Sequence, residues 1–182
     1  MSFMLVQTPD PNTLRDALPS FDKATHIFLP INDCTNPNLA EGGSHWTLLL
    51  VSLLDGLAFH YDSLHNANVR EASIATQKLS ILCRTRLQFI NLQDTPEQTN
   101  GSDCGVHVCM TMKYLLTRRL LQRDATEKVT MSMANTRMDA KKGRQEMVEL
   151  IEDYRKEGRR SQSRSRTPQG RKSSDNPPRI GD

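Results

Sequence analysis

Apolar positions change their spacing several times along the chain, and each change marks an element. Residues 26–32 (His-Ile-Phe-Leu-Pro-Ile-Asn) form an apolar, β-rich run that stops at the turn formers Asn32 and Asp33, which predicts a strand. A polar loop over residues 33–44, containing Pro37 and the pair Gly42-Gly43, leads into Trp46-Thr47-Leu48-Leu49-Leu50-Val51. That run is too continuous to alternate, so it predicts a strand buried on both faces. Asp55-Gly56 is a hairpin signal, residues 57–61 return as a third strand, and Asp62-Ser63 follow just past its end. Residues 70–84 space Ile74, Leu79, Leu82 and Cys83 nearly as a helix requires, and residues 87–92 suit a further strand. Residues 94–102 are a polar loop. Asp103 is placed to cap a helix running through Val106, Val108, Met110, Met112 and Leu115 to about Leu121. A last amphipathic helix, residues 140–156, carries Met147, Leu150, Ile151 and Tyr154 on one side. There is no internal repeat.

Composition narrows the class. With 182 residues, 36% of them apolar and 25% charged, the chain can build one modest core. No apolar run reaches the roughly 18 residues of a membrane span, and Met1-Ser2-Phe3-Met4-Leu5 lacks the basic flank of a secretory signal. The expectation is a soluble protein of the cytoplasm, the nucleus or both, with no membrane partner. Cys34, Cys83, Cys104 and Cys109 are then read as free thiols. The net charge of +3 misleads, because residues 158–182 alone hold seven basic and two acidic side chains and the remainder is about −2. Nucleic acid is therefore not the expected partner. The basic segment, rich in Ser and Arg and nearly without apolar residues, reads as a disordered tail, residues 158–182, behind a domain over residues 1–157.

Cys104 is the most informative position. The first turn of a helix stabilises a thiolate through its free N–H groups and dipole, and a thiolate is the form that attacks carbonyls. Alone, a cysteine in an apolar helix is more often packing. A nucleophilic cysteine also needs a base and a group to hold that base. His45 begins one strand and Asp62 follows the next, so the hairpin through Asp55-Gly56 brings them together; read singly, they are a loop residue and a turn former. An oxyanion donor completes the set. Gln98, six residues before Cys104, supplies an amide if Gly101 takes a positive φ and folds the loop back over the thiol.

His45-Trp46, then His60-Tyr61-Asp62-Ser63, then Gln98-Thr99-Asn100-Gly101-Ser102-Asp103-Cys104-Gly105 resembles the ubiquitin-like-protein proteases, the sentrin-specific cysteine peptidases. Phe28-Leu29-Pro30-Ile31-Asn32-Asp33 with Gly42-Gly43-Ser44-His45-Trp46 is most similar to the deneddylase branch. The resemblance implies an α+β fold related to papain, a small mixed sheet flanked by helices. It implies Cys104 as nucleophile, His45 as base and then acid, Asp62 holding the imidazole, and Gln98 in the oxyanion hole. Trp46 would roof the channel for the modifier's Gly-Gly end, with core packing as the other reading of its indole. The substrate implied is the neddylation modifier, or else SUMO, on conjugates such as cullins, cleaved by a monomer without cofactor or metal. The family's Trp-Leu-Asn-Asp segment, which forms the other channel wall, does not occur in this sequence, so the domain is expected to lack its N-terminal part.

Two other readings compete with the protease. A non-catalytic module would keep the fold and hold a modifier without turnover. An acyltransferase would use a similar His, acid, Cys order, although Trp46 and Gln98 favour the protease. A metal site through Cys104, His107 and Cys109 matches no common zinc spacing, and His107 reads as structural.

Overall fold

The computed structural model of the chain describes residues 2–36, 38–39, 42–122 and 128–165. It divides at Gly143 into two compact units.

The first unit is built on a four-stranded sheet in the order β1 (His26–Asn32), β2 (Trp46–Ser52), β3 (Leu57–Tyr61), β4 (Gln88–Asn91). The first three strands are antiparallel, joined by loops, and β4 runs parallel to β3. A parallel neighbour needs a crossover. Helix α2 (Val69–Leu82) supplies it. The predicted hairpin is present, with Gly56 at φ 66°, the left-handed region that a glycine enters freely.

Strand β2 is buried on both faces, as its continuous apolar run requires. Leu49 and Val51 enter one core with Leu5, Leu29, Ala75 and Leu79, under α2 and a short α1 (Ser2–Gln7) that has no predicted counterpart. Leu48 and Leu50 enter a second core with Tyr61, Val108, Leu115 and Met133, under α3 (Cys104–Tyr114). Each such side chain contributes about 1.5 to 3 kcal/mol by leaving water. The carbonyls of Val6 and Thr8, at and just beyond the end of α1, accept from Lys78 Nζ at 2.7 and 2.5 Å, which ties α1 to α2. His60 pins the middle of the sheet. Its ring meets Thr47 Oγ1 and Asn91 Oδ1, each at 2.9 Å, and burial lowers its pKa.

Two predicted helix ends shift. Helix α3 gives way at Leu115–Leu120 to wider π-helical turns, within the span expected to be a single helix to Leu121. The last helix, α4 (Ala140–Ser165), runs past the end expected at Lys156, since its Arg, Lys and Gln residues are good helix formers. Leu150, Ile151 and Tyr154, the expected apolar side of α4, are exposed. The rest of the expected tail, residues 166–182, lies outside the described residues. Among the described residues no helix is long and apolar enough to cross a membrane, and all four thiols are free.

Candidate active site

The antiparallel register of β2 and β3 puts the residue before one strand beside the residue after the other. His45 Nε2 and Asp62 Oδ1 meet there at 2.7 Å, with the two side chains only 4% and 1% exposed. His45 is thus no surface loop residue.

Both ends of this pair are held by further hydrogen bonds. Asp62 Oδ1 also accepts from Leu64 N–H at 2.9 Å, and Oδ2 accepts from Ala67 N–H at 2.6 Å and Asn68 N–H at 3.4 Å. Burial pushes the Asp62 carboxyl up, but the bonds from His45, Leu64 and Ala67 and the charge of His45 outweigh it and bring it to about 2. On the other side, Asp33 Oδ1 accepts from Ser44 N–H at 2.6 Å and His45 N–H at 3.0 Å, while Ser44 Oγ donates to Asp33 Oδ2 at 2.6 Å. The His45 carbonyl accepts from Asn32 Nδ2 at 3.1 Å and Asn68 Nδ2 at 3.0 Å. Asn32, Asp33 and Asn68 carried no assigned role in the sequence. Asn32-Asp33 stood out as the end of a strand and as part of the segment most similar to the deneddylase branch, but their bonding did not; the partners of the three lie 11 to 23 residues away, beyond the reach of any local pattern.

Gln98 joins the pair through Ser63. Ser63 Oγ donates to Gln98 Oε1 at 2.7 Å, and Gln98 N–H donates to the Ser63 carbonyl at 3.1 Å. With the amide oxygen fixed, Nε2 points the other way, and one of its two hydrogens goes to the Asn100 carbonyl at 2.6 Å. The loop onward to the cysteine is folded by Asn100, whose Oδ1 accepts from Ser102 N–H at 2.9 Å and whose Nδ2 donates to Asp103 Oδ2 at 2.7 Å. Gly101 does not take the positive φ expected of it, because this side-chain bonding already makes the turn. Asp103 occupies the N-cap position of α3 without the expected side-chain cap bond.

Cys104 is the first residue of α3, buried, on a helix that packs against β2. The nitrogen that His45 does not spend on Asp62, Nδ1, is buried and without a hydrogen-bond partner. No hydrogen bond joins it to Cys104. Three of the four expected residues are therefore connected, and the fourth stands at the start of the neighbouring helix. Trp46, at the first position of β2, is 42% exposed, which removes core packing as its explanation. Cys109 is exposed, His107 is buried with its pKa lowered chiefly by that burial, and no group of three or more metal-ligating side chains occurs among the described residues.

An α+β fold that sets a buried histidine–carboxylate pair beside a cysteine-headed helix is the frame of a thiol peptidase, and comparison with known proteins agrees. Residues 10–156 match the model of the Ulp1 protease family, C-terminal catalytic domain, and the chain belongs to that family. It is 41% identical over 153 residues to NEDD8-specific protease 2 of Schizosaccharomyces pombe, a match covering 83% of this chain and 36% of that protein. NEDD8-specific protease 1 of the same organism is 36% identical over 121 residues, covering 65% of this chain and 28% of that protein. A solved structure of the SUMO protease Ulp1, its catalytic cysteine oxidised to a sulfinic acid, is 27% identical, with 63% of this chain and 52% of that one covered at a TM-score of 0.42. The chain spans about a third of the length of these two curated relatives.

Proposed function

We propose that the chain is a cysteine peptidase that cleaves after the Gly-Gly end of a ubiquitin-like modifier, with NEDD8 as substrate in preference to SUMO. The observation that carries this reading is the buried His45–Asp62 pair, 2.7 Å apart, with His45 Nδ1 left unpartnered. A base needs one nitrogen held and the other free, and this ring has that division of labour. The preference for NEDD8 is supported by the 41% identical relative, which is named for that modifier. Cullin conjugates are the class of isopeptide substrate this implies.

In this mechanism His45 Nδ1 takes the Cys104 proton, and the thiolate attacks the carbonyl carbon of the modifier's last glycine. Gln98 Nε2, using the hydrogen not given to Asn100, and a backbone N–H beside Cys104 receive the oxyanion. The lysine amine leaves with the proton from His45. A water deprotonated by His45 then attacks the thioester carbonyl, releasing the modifier's carboxylate and the Cys104 thiol. Trp46, exposed at the first position of β2, roofs the path of the modifier's tail in this reading and limits it to side-chain-free glycines.

The test is labelling of the purified chain by NEDD8, SUMO and ubiquitin, each with a C-terminal electrophile, with Cys104→Ala as control. Labelling by NEDD8 alone, lost in Cys104→Ala, is expected. A folded chain that binds NEDD8 without being labelled would instead be a non-catalytic module.

A further inference from the structure

Residues 62–66 and 94–98 are two loops from different parts of the chain, one carrying Asp62 and the other Gln98. Ser63 and Gln98 link them by the two bonds described above. His65 adds two more. Its Nε2 lies 3.2 Å from the Thr95 carbonyl oxygen and its Nδ1 lies 2.7 Å from Glu97 Oε1. Both of those partners only accept hydrogen bonds, so the ring makes both bonds when each nitrogen carries a hydrogen.

The backbone is bent to allow this. His65 and Asn66 take φ values of 45° and 75°, two successive residues other than glycine in the left-handed region, which side-chain-bearing residues rarely adopt. The bend is anchored on its far side, where Asn66 Oδ1 accepts from Asn91 Nδ2 at 2.5 Å and Gln93 Nε2 at 3.3 Å. Strain kept at such a place, between a carboxylate that orients a base and an amide aimed at an oxyanion, is characteristic of sites whose geometry is functional. His65 is 31% exposed and Glu97 69% exposed, so these contacts add little to overall stability, and what they fix is position.

We propose that His65 is a positioning residue: it clamps the Gln98 loop onto the Asp62 turn and so sets the oxyanion donor relative to the His45–Asp62 pair. The inference rests on the peptidase reading of Gln98.

The decisive variant is His65→Gly, because glycine enters the left-handed backbone freely and has no side chain to bond Thr95 or Glu97. Hydrolysis of NEDD8 carrying a C-terminal fluorogenic amide should show kcat lowered about tenfold with KM within twofold of the parent. In a Gln98→Ala background the same substitution should cost nothing further, since its effect runs through that amide. An unchanged kcat, or an equal loss in both backgrounds, overturns the clamp. Amide hydrogen exchange gives a reading that needs no turnover. The Gln98 N–H, bonded to the Ser63 carbonyl, should exchange about tenfold faster in His65→Gly while the β2 amides keep their rates. If the parent chain is inactive, the peptidase reading fails by itself; unchanged exchange at Gln98 overturns the clamp whether or not the chain turns over.

Discussion

Asp62 does more than face His45. Its carboxylate accepts from three backbone N–H groups of the turn that follows it, so its charge organises the loop as well as the ring. Its pKa near 2, below the ordinary 3.8, makes that charge a source of stability. A depressed carboxyl pKa stabilises the folded chain fully above the unfolded value, near pH 4, and the contribution is lost as the pH falls toward 2. Its size is on the order of 2 kcal/mol. Asp62→Asn should therefore be less stable than the parent by about that amount at pH 6, with the gap in urea midpoints closing between pH 4 and pH 2. A gap that stays constant with pH would mean that the charge contributes nothing. The same substitution should slow turnover less than Cys104→Ala, because an imidazole that has lost its orienting partner still accepts a proton, while nothing replaces the sulfur.

The loop entering β2 delivers His45, and its last glycine is where that delivery can be tested. Gly43 sits at φ +85°, and a Cβ there would lie 2.1 Å from Asn32 Oδ1 and 2.7 Å from Asp33 Oδ1. Those two oxygens belong to the side chains that hold His45 at its carbonyl and at its N–H. Gly43→Ala must displace them as well as strain its own backbone. We expect kcat/KM to fall by at least tenfold while the thermal midpoint drops by only a few degrees; activity equal to the parent would show that the Asn32–Asp33 brace is dispensable. The pair Gly42-Gly43 was visible in the sequence, but the purpose of Gly43 was not, because the atoms it must avoid come from the end of β1 and the residue after it. The elements themselves were far more legible. Leu48 to Val51 announced a doubly buried strand, and Asp55-Gly56 announced the turn that brings His45 to Asp62. Helix α1 was missed because six residues hold too little of a helical period to register, and its place is fixed by Leu5 in the core and by Lys78 on the carbonyls of Val6 and Thr8.

Every connected site residue lies within the unit ending at Gly143, and so does each buried side chain named above. The sequence motifs singled out His45, Asp62, Gln98 and Cys104; the structure connects the first three and sets the fourth at the head of the neighbouring helix. The motifs gave no role to the scaffolding of Asn32, Asp33, Ser63, His65 and Asn68, whose amides, hydroxyl, imidazole and carboxylate find partners only after the sheet has formed. From Arg144 onward the chain has a different character: a helix with Leu150, Ile151 and Tyr154 exposed, and an exposed Lys156–Asp153 ion pair at 3.1 Å. Exposed side chains and single surface ion pairs change stability by no more than about 0.5 to 1 kcal/mol. Ending the chain after Gly158 removes seven basic and two acidic side chains and none that is buried among the described residues. The shortened chain should then keep its thermal midpoint within about 2 °C and its kcat on a NEDD8 amide within twofold of the parent. A loss of stability above about 1 kcal/mol would instead require that the second half of α4 covers apolar surface in solution, and it would make the exposed Leu150, Ile151 and Tyr154 the first side chains to examine as the source.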